Sequence, residues 1–422
     1  MMFTQLRRGL LVSAAVALCF PSLGCGNKTD KGATLMVGSD PDALPDELVA
    51  DWTKAGASVG WMAPNRLGDP VFRVGDEVRA REVPAFQFSK WTGGIVRILP
   101  KPEKPFGLSF RETQVTDAGL TELPGLRHLQ ALDLWRSQVT DLGLRQLAGL
   151  QGLQTLNLGG TRVTDAGVKE LARLKTLQNL NLTEARITDA GLKELAKLKG
   201  LQRLTLSSTQ ITDAGLKELA GLPDLQFLSL WATRVTDAGL KELAALKGLQ
   251  MLNLRDTRIT DAGLKELAGL KGLQGLNLMS TPVTDAGVKE LAGLKNLQTL
   301  NLCGTQLTDA GLKELAGLIG LQTLDLSFTQ GTDAGLKGLA GLKDLQNLNL
   351  IRTEVTDAGL KELAGLTGLQ SLNLSGTKVT DAGLKELTGL KTLQSLDLRN
   401  TKVTEQAAEE LSRVIRPLRI IR

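Results

Sequence analysis

An aspartate recurs at 117, 141, 165, 189, 213, 237, 261, 285, 309, 333, 357 and 381, always 24 residues after the last, and Glu405 takes the next slot. Around it stands the string TDAGL with small variations. Between these marks LQxLxL recurs, from Leu129, Leu132 and Leu134 to Leu393, Leu396 and Leu398, with a degenerate copy at Leu108 and Phe110. A register without one insertion excludes an irregular globular topology for this stretch, because each unit must present the same face to the next. Composition agrees. A chain of 422 residues would ordinarily make two or three domains, but one with 42% hydrophobic and 3% aromatic residues, no tyrosine and abundant Leu, Gly, Ala, Lys and Asp is a stack of copies.

The physics of one unit says what those copies are. In Leu153–Leu158, Leu156 and Leu158 alternate with Thr155 and Asn157, the period of a half-buried strand. Thr164 and Asp165 stand where a helix begins, as Thr or Asp caps free N–H groups and negative charge suits that terminus; capping is therefore the expected role of every TDAGL aspartate. Val168, Leu171 and Ala172 lie at i, i+3 and i+4, a stripe too narrow to bury itself within 24 residues. Stacking solves this: leucines merge into one core and strands pair in parallel.

The pattern resembles a leucine-rich repeat, L-x-x-L-x-L-x-x-(N/C/T)-x-L, with threonine at the ninth position in Thr161, Thr209, Thr257 and Thr305. It is most similar to the cysteine-containing class, which often follows an F-box, and to short bacterial 24-residue classes. The resemblance covers about residues 105–404. It implies an α/β fold: a right-handed solenoid or horseshoe of about 13 repeats, with a parallel concave sheet and convex helices. Leu44–Leu48 is similar to the start of an F-box, but the rest of that motif is missing.

Residues 1–25 read as an export signal: Arg7 and Arg8, then an apolar run from Leu10 to Phe20 of about 11 residues, short of the ~20 that span a bilayer. Gly24 before Cys25 resembles a lipoprotein signal with Cys25 as lipid attachment; ordinary secretion is the alternative, and Ser22 departs from the usual aliphatic residue. Either address argues against a ubiquitin-ligase adaptor and for the cell envelope, with membrane contact only through a lipid at Cys25. Residues 26–44 form a flexible tether, 45–104 a small α/β cap, and 405–422 a C-terminal cap. In the N-terminal cap a helix is expected near Asp46–Ala55 and strands at Ser58–Met62 and Val71–Val74, with Trp52, Trp61 and Trp91 covering the first open repeat.

Removing Arg7 and Arg8 lowers the formal charge from +5 to +3. Convex lysines and glutamates such as Lys193 and Glu194 mix signs, so no nucleic-acid face is expected. One histidine, His128, and few cysteines leave no material for a metal site, a cofactor ligand set or a disulfide framework. His128 has no distinctive partner and Cys303 no basic neighbour, so neither is read as catalytic.

Sites must then lie on the concave face, at positions three, five, seven and eight of each unit. Position five is nearly constant, as in Asn157, Asn253 and Asn301, and reads as a side-chain amide ladder. Within 129–404 the four aromatics, Trp135, Phe227, Trp231 and Phe328, all occupy variable concave positions free of core duty. Phe227 and Trp231 with Arg203, Met251, Arg255 and Met279 gather the residue types enriched in protein-binding hot spots, and Trp135 is a further candidate. Arg162, Arg186, Arg234 and Arg258 line one rim and would favour an acidic partner. The expected function is a non-enzymatic scaffold binding a protein or peptide. The alternative is a structural envelope protein without a specific ligand.

Overall fold

The computed structural model describes residues 44–75, 78–79 and 81–422. The export signal, Cys25 and nearly all of the tether lie outside them. Leu44, assigned to the tether by sequence, is buried in the cap.

The chain opens with α1 (Asp46–Lys54), β1 (Ala57–Pro64), β2 (Pro70–Arg73), β3 (Val83–Phe88), α2 (Ile95–Ile98) and β4 (Phe106–Ser109). Twelve strands from the 24-residue units follow: β5 (Leu129–Asp133), β6 (Thr155–Asn157), β7 (Asn179–Asn181), β8 (Arg203–Thr205), β9 (Phe227–Ser229), β10 (Met251–Asn253), β11 (Gly275–Asn277), β12 (Thr299–Asn301), β13 (Thr323–Asp325), β14 (Asn347–Asn349), β15 (Ser371–Asn373) and β16 (Ser395–Asp397), with β17 (Arg419–Ile421) last. From β3 onward each strand pairs in parallel with the next, and from β5 to β17 the register is in step with the repeat, as in Leu252↔Leu276 and Leu396↔Ile420. One rung is thus one unit. Between strands run short helices such as Asp165–Leu171, some ending in a 3-10 turn. The fold is an α/β leucine-rich-repeat solenoid.

The two faces of each unit meet along a continuous leucine core. Leu153, Leu156, Leu158, Val163, Val168, Leu171 and Leu174 of one unit are at most 1% exposed; burial of each such side chain contributes about 1.5–3 kcal/mol. The ninth-position threonines are buried because each hydroxyl is satisfied locally: Thr161 Oγ1 donates to the Leu158 carbonyl at 2.6 Å.

The TDAG string divides its labour differently from the capping role expected of the aspartate. Threonine is the cap: Thr284 Oγ1 accepts the Ala286 N–H at 3.3 Å. The aspartate reaches into the next unit. Asp261 Oδ1 accepts the Thr284 backbone N–H at 2.8 Å and Oδ2 accepts its hydroxyl at 2.6 Å, and the same pair of bonds repeats from Asp117–Thr140 through Asp381–Thr404. Glycine supplies clearance, because a Cβ on Gly287 would fall on Asp261 Oδ1. Cap, clamp and clearance lie within four residues and bind each unit to its neighbour.

The start of the stack is closed by aromatics. Trp52, fully buried, stacks on Phe86 with ring centroids 4.3 Å apart and meets Phe106 edge-on, while its Nε1 donates to the Pro100 carbonyl. Phe88 stacks on Phe110, and Trp91 meets Phe110 edge-on at 5.0 Å. Trp61 does not join them; it is half-buried on β1 and donates to the Gly75 carbonyl. At the other end the helix Glu405–Val414 and β17 continue the register with polar outer residues.

Candidate recognition surface

The N-terminal cap covers the first part of the concave face as well as the open end. β1 pairs antiparallel with both β2 and β3, and the β1–β2 hairpin folds across β5 and β6. Met62, Ala85 and Ala131 form a small apolar cluster with Phe72 and Val83, and a Cβ on Gly107 would meet Met62, so small residues at position three make the seat for the hairpin. Its tip, Asn65–Asp69, reaches further: Asn65 Oδ1 accepts the N–H groups of Leu67 and Asp69, the Asn181 amide donates to Asp69, and Arg203 Nη1 donates to the Arg66 carbonyl at 2.8 Å. Gly68, at φ 91°, lies against Arg203 Cβ, where any side chain would collide.

This arrangement sorts the residues singled out by sequence. Phe227, expected on the exposed face, is 2% exposed; it sits between Arg203 and Met251 in the sheet register. Arg203 is engaged by the hairpin. Met251 leans over Gly275, whose missing side chain gives it room. Phe227 is therefore buried and Arg203 tied down, while Met251 stays half-buried. Trp135 lies four rungs before Trp231, outside the patch, with its ring across Gly159 and the guanidinium carbons of Arg111 and Arg136 5.2 and 5.7 Å from its centroid.

At position seven a short stretch stays accessible. Trp231, Arg255 and Met279 are half-buried on consecutive rungs. Trp231 Nε1 donates to Asp256 Oδ2 at 2.8 Å, Arg255 Nε donates to the same oxygen at 3.0 Å, and the Arg255 guanidinium carbon stands 5.1 Å from the Trp231 ring centroid. One carboxylate thus fixes both an indole and a guanidinium. Asp256 escaped the sequence reading; its signal was an acid at position eight directly after an arginine. Phe328, 52% exposed, has Arg352 over it at 5.6 Å.

Position eight has its own constraint. Arg136, Glu184, Ser208, Ala232, Asp256, Ser280, Phe328, Arg352 and Asn400 all have φ between 51° and 60°, and Gly160, Gly304 and Gly376 share the left-handed region. The turn after every strand demands it, and all but glycine carry strain there.

Position five is not the ladder of amides expected. Each Oδ1 turns back onto its own unit: Asn253 accepts the Arg255 N–H at 3.1 Å, Asn277 that of Met279 at 3.0 Å and Asn301 that of Cys303 at 2.9 Å. A cross-rung bond does exist where the neighbour is serine, from Asn253 Nδ2 to Ser229 Oγ. These amides therefore shape the turn that presents position seven. Asp133 plays the same part for the Trp135 N–H, but burial pushes its carboxyl up to about 6 against the pull of that N–H and of Arg111, 3.8 Å away. Asp69 is also raised by burial.

Cys303, next in the row, is 5% exposed, and burial raises its thiol, which keeps it protonated. Among the described residues no three His, Cys, Asp or Glu side chains group as a metal site requires, and no helix is long and apolar enough to cross a membrane.

Comparison with known proteins gives the same architecture. A family model described as Leucine Rich repeat matches residues 151–172, 173–196, 201–220, 249–268, 293–316 and 366–387. No curated protein matches the chain. Among solved structures, an internalin from Listeria monocytogenes is similar at 25% identity and a TM-score of 0.58, over 75% of this chain and 86% of that one. A leucine-rich-repeat protein of Leptospira interrogans is similar at 25% identity and a TM-score of 0.53, over 79% and 93%. With six matched segments inside an unbroken stack of 24-residue units, the chain is a leucine-rich-repeat protein.

Proposed function

We propose that this chain is a non-enzymatic, exported scaffold that binds a protein or peptide through its concave face, with Trp231, Arg255, Asp256 and Met279 at the centre. The observation that carries this reading is the Trp231–Asp256–Arg255 constellation: two side chains of hot-spot type are held in place by a shared carboxylate and serve no core purpose. Preorganisation of this kind lowers the ordering cost of binding. Export, with a lipid at Cys25 holding the protein at the cell envelope, is part of the proposal and rests on the N-terminal sequence. A second reading, a structural envelope protein without a specific ligand, is favoured by the near identity of the units. The test is affinity capture from envelope extracts by the parent and by a Trp231→Ala, Arg255→Ala variant of unchanged circular dichroism. A partner retained by the parent and lost by the variant supports recognition; identical capture, or none, moves the assignment to the structural reading.

A further inference from the structure

The rim beside Trp231 carries positive charge. Position ten holds Arg162, Arg186, Arg234 and Arg258 on rungs two, three, five and six of the 24-residue units, interrupted by Gln210. All four arginines are exposed. Their backbones are not loose: the N–H of Arg162 donates to the Val139 carbonyl at 3.1 Å, that of Arg186 to Val163 at 2.9 Å and that of Arg234 to Ile211 at 3.0 Å. Arg186 also makes an isolated parallel bridge with Thr164. The arginines are thus spaced by the sheet repeat, ~4.8 Å within each pair and ~14 Å from Arg162 to Arg234.

Among the described residues none of these four arginines forms an ion pair with an acid. Asp237 and Asp261 are committed to Thr260 and Thr284, and Asp256 is held by Trp231 and Arg255. Glu184 and Asp256 are the exposed acids at position eight within these rungs. Further along the same column the sign breaks up: Pro282, Gln306 and Gln330 carry no charge, and Glu354 pairs with Lys378. Like charges are therefore concentrated on the rungs flanking Trp231.

We propose that this rim docks an acidic peptide segment of the partner, running across the rungs with carboxylates on the Arg162–Arg186 and Arg234–Arg258 pairs and its side chains against Trp231. The inference rests on the recognition reading given above and names the chemistry of the partner. Guanidinium pairs one rung apart suit carboxylates, which they bind by two parallel N–H donors. At ~3.3 Å per extended residue, the ~14 Å between the pairs spans about four residues, so two acidic clusters about four residues apart match the rack.

The experiment measures fluorescence anisotropy with the full chain and a labelled 12-residue peptide bearing two Glu-Glu pairs four residues apart. Its Gln-Gln counterpart, dextran sulfate and vesicles containing anionic phosphatidylglycerol serve as alternative probes. Two variants of equal charge change are compared: Arg162→Gln, Arg186→Gln, Arg234→Gln, Arg258→Gln on the rim, and Lys193→Gln, Lys217→Gln, Lys241→Gln, Lys265→Gln on the convex helices. The expected result is salt-sensitive binding of the Glu peptide, at least tenfold weaker in the rim variant and within twofold of the parent in the convex one. Absence of Glu-peptide binding, equal loss in both variants, equal binding of the Gln peptide, or preference for dextran sulfate or vesicles would overturn it. Partner capture that depends on Trp231 and Arg255 alongside any of those results would leave the recognition reading standing and remove only the acidic partner. Capture indifferent to Trp231 and Arg255 would remove the recognition reading itself.

Discussion

Replacing Asp261 by alanine removes two hydrogen bonds on one carboxylate, to the Thr284 N–H at 2.8 Å and to its hydroxyl at 2.6 Å. Bonds to charged groups contribute about 1.5–3 kcal/mol each. Asp261 and Thr284 are only half-buried, so water competes and the lower figure applies, giving about 3 kcal/mol for the pair. Gly287→Ala attacks the same contact from the other side, since its Cβ would fall on Asp261 Oδ1. Its expected cost is about 2 kcal/mol after the ~1 kcal/mol that alanine gains over glycine in a helix. In the double variant the displaced carboxylate is already gone, so the two costs should fail to add by about 1–2 kcal/mol. Urea unfolding followed by circular dichroism measures all three, with the m-value checked for loss of cooperativity along the stack. Additivity within ~0.5 kcal/mol would refute the claim that glycine is there to clear the clamp.

Other consequences are as direct. Phe227→Ala should cost about 3 kcal/mol as a buried aromatic truncation, whereas Trp231→Ala should cost under about 1 kcal/mol; comparable losses in denaturant would contradict the buried placement of Phe227 and the accessible one of Trp231. Asp133 has a folded-state pKa of about 6 against an ordinary 3.8, so the folded state binds more protons between those values and stability falls as pH rises through that window. Asp133→Asn, which keeps the acceptor for Trp135, should therefore stabilise by up to about 3 kcal/mol at pH 7.5 and by nothing near pH 3; a gap that widens on acidification would show the sign to be wrong. Ala232→Gly, at φ 54°, should raise stability by about 0.5 kcal/mol in thermal unfolding, because relief of left-handed strain exceeds the entropy glycine adds to the unfolded chain.

The solenoid was legible because its determinants are local and repeated. A leucine at positions four and six has one destination in every unit, so twelve copies state the core twelve times. The helix Asp46–Lys54 and the strands around Trp61 and Val71 were also readable from short-range pattern. What the sequence concealed was which polar and aromatic side chains bond across units. The carboxylate of Asp261 looked like a cap because capping is the nearest use for an acid beside Thr260; its real partner, Thr284, enters through stacking. Phe227 looked exposed because the position-three column faces outward, and nothing local announces that Arg203 beside it is tied down by a hairpin tip from residues 65–69. Asp256 was overlooked for a similar reason, since its bond to Trp231 joins neighbouring rungs.

The clamp also fixes how such a chain can change length. Each aspartate meets a threonine 23 residues on, so an insertion of a few residues inside a unit must loop out of the stack to keep that pair. Addition or removal of a whole unit leaves every remaining carboxylate with a threonine at the proper distance. Whole units are therefore the steps that extend the stack with every clamp unchanged, each 24-residue step shifting the basic rim and the indole of Trp231 relative to the ends by one rung.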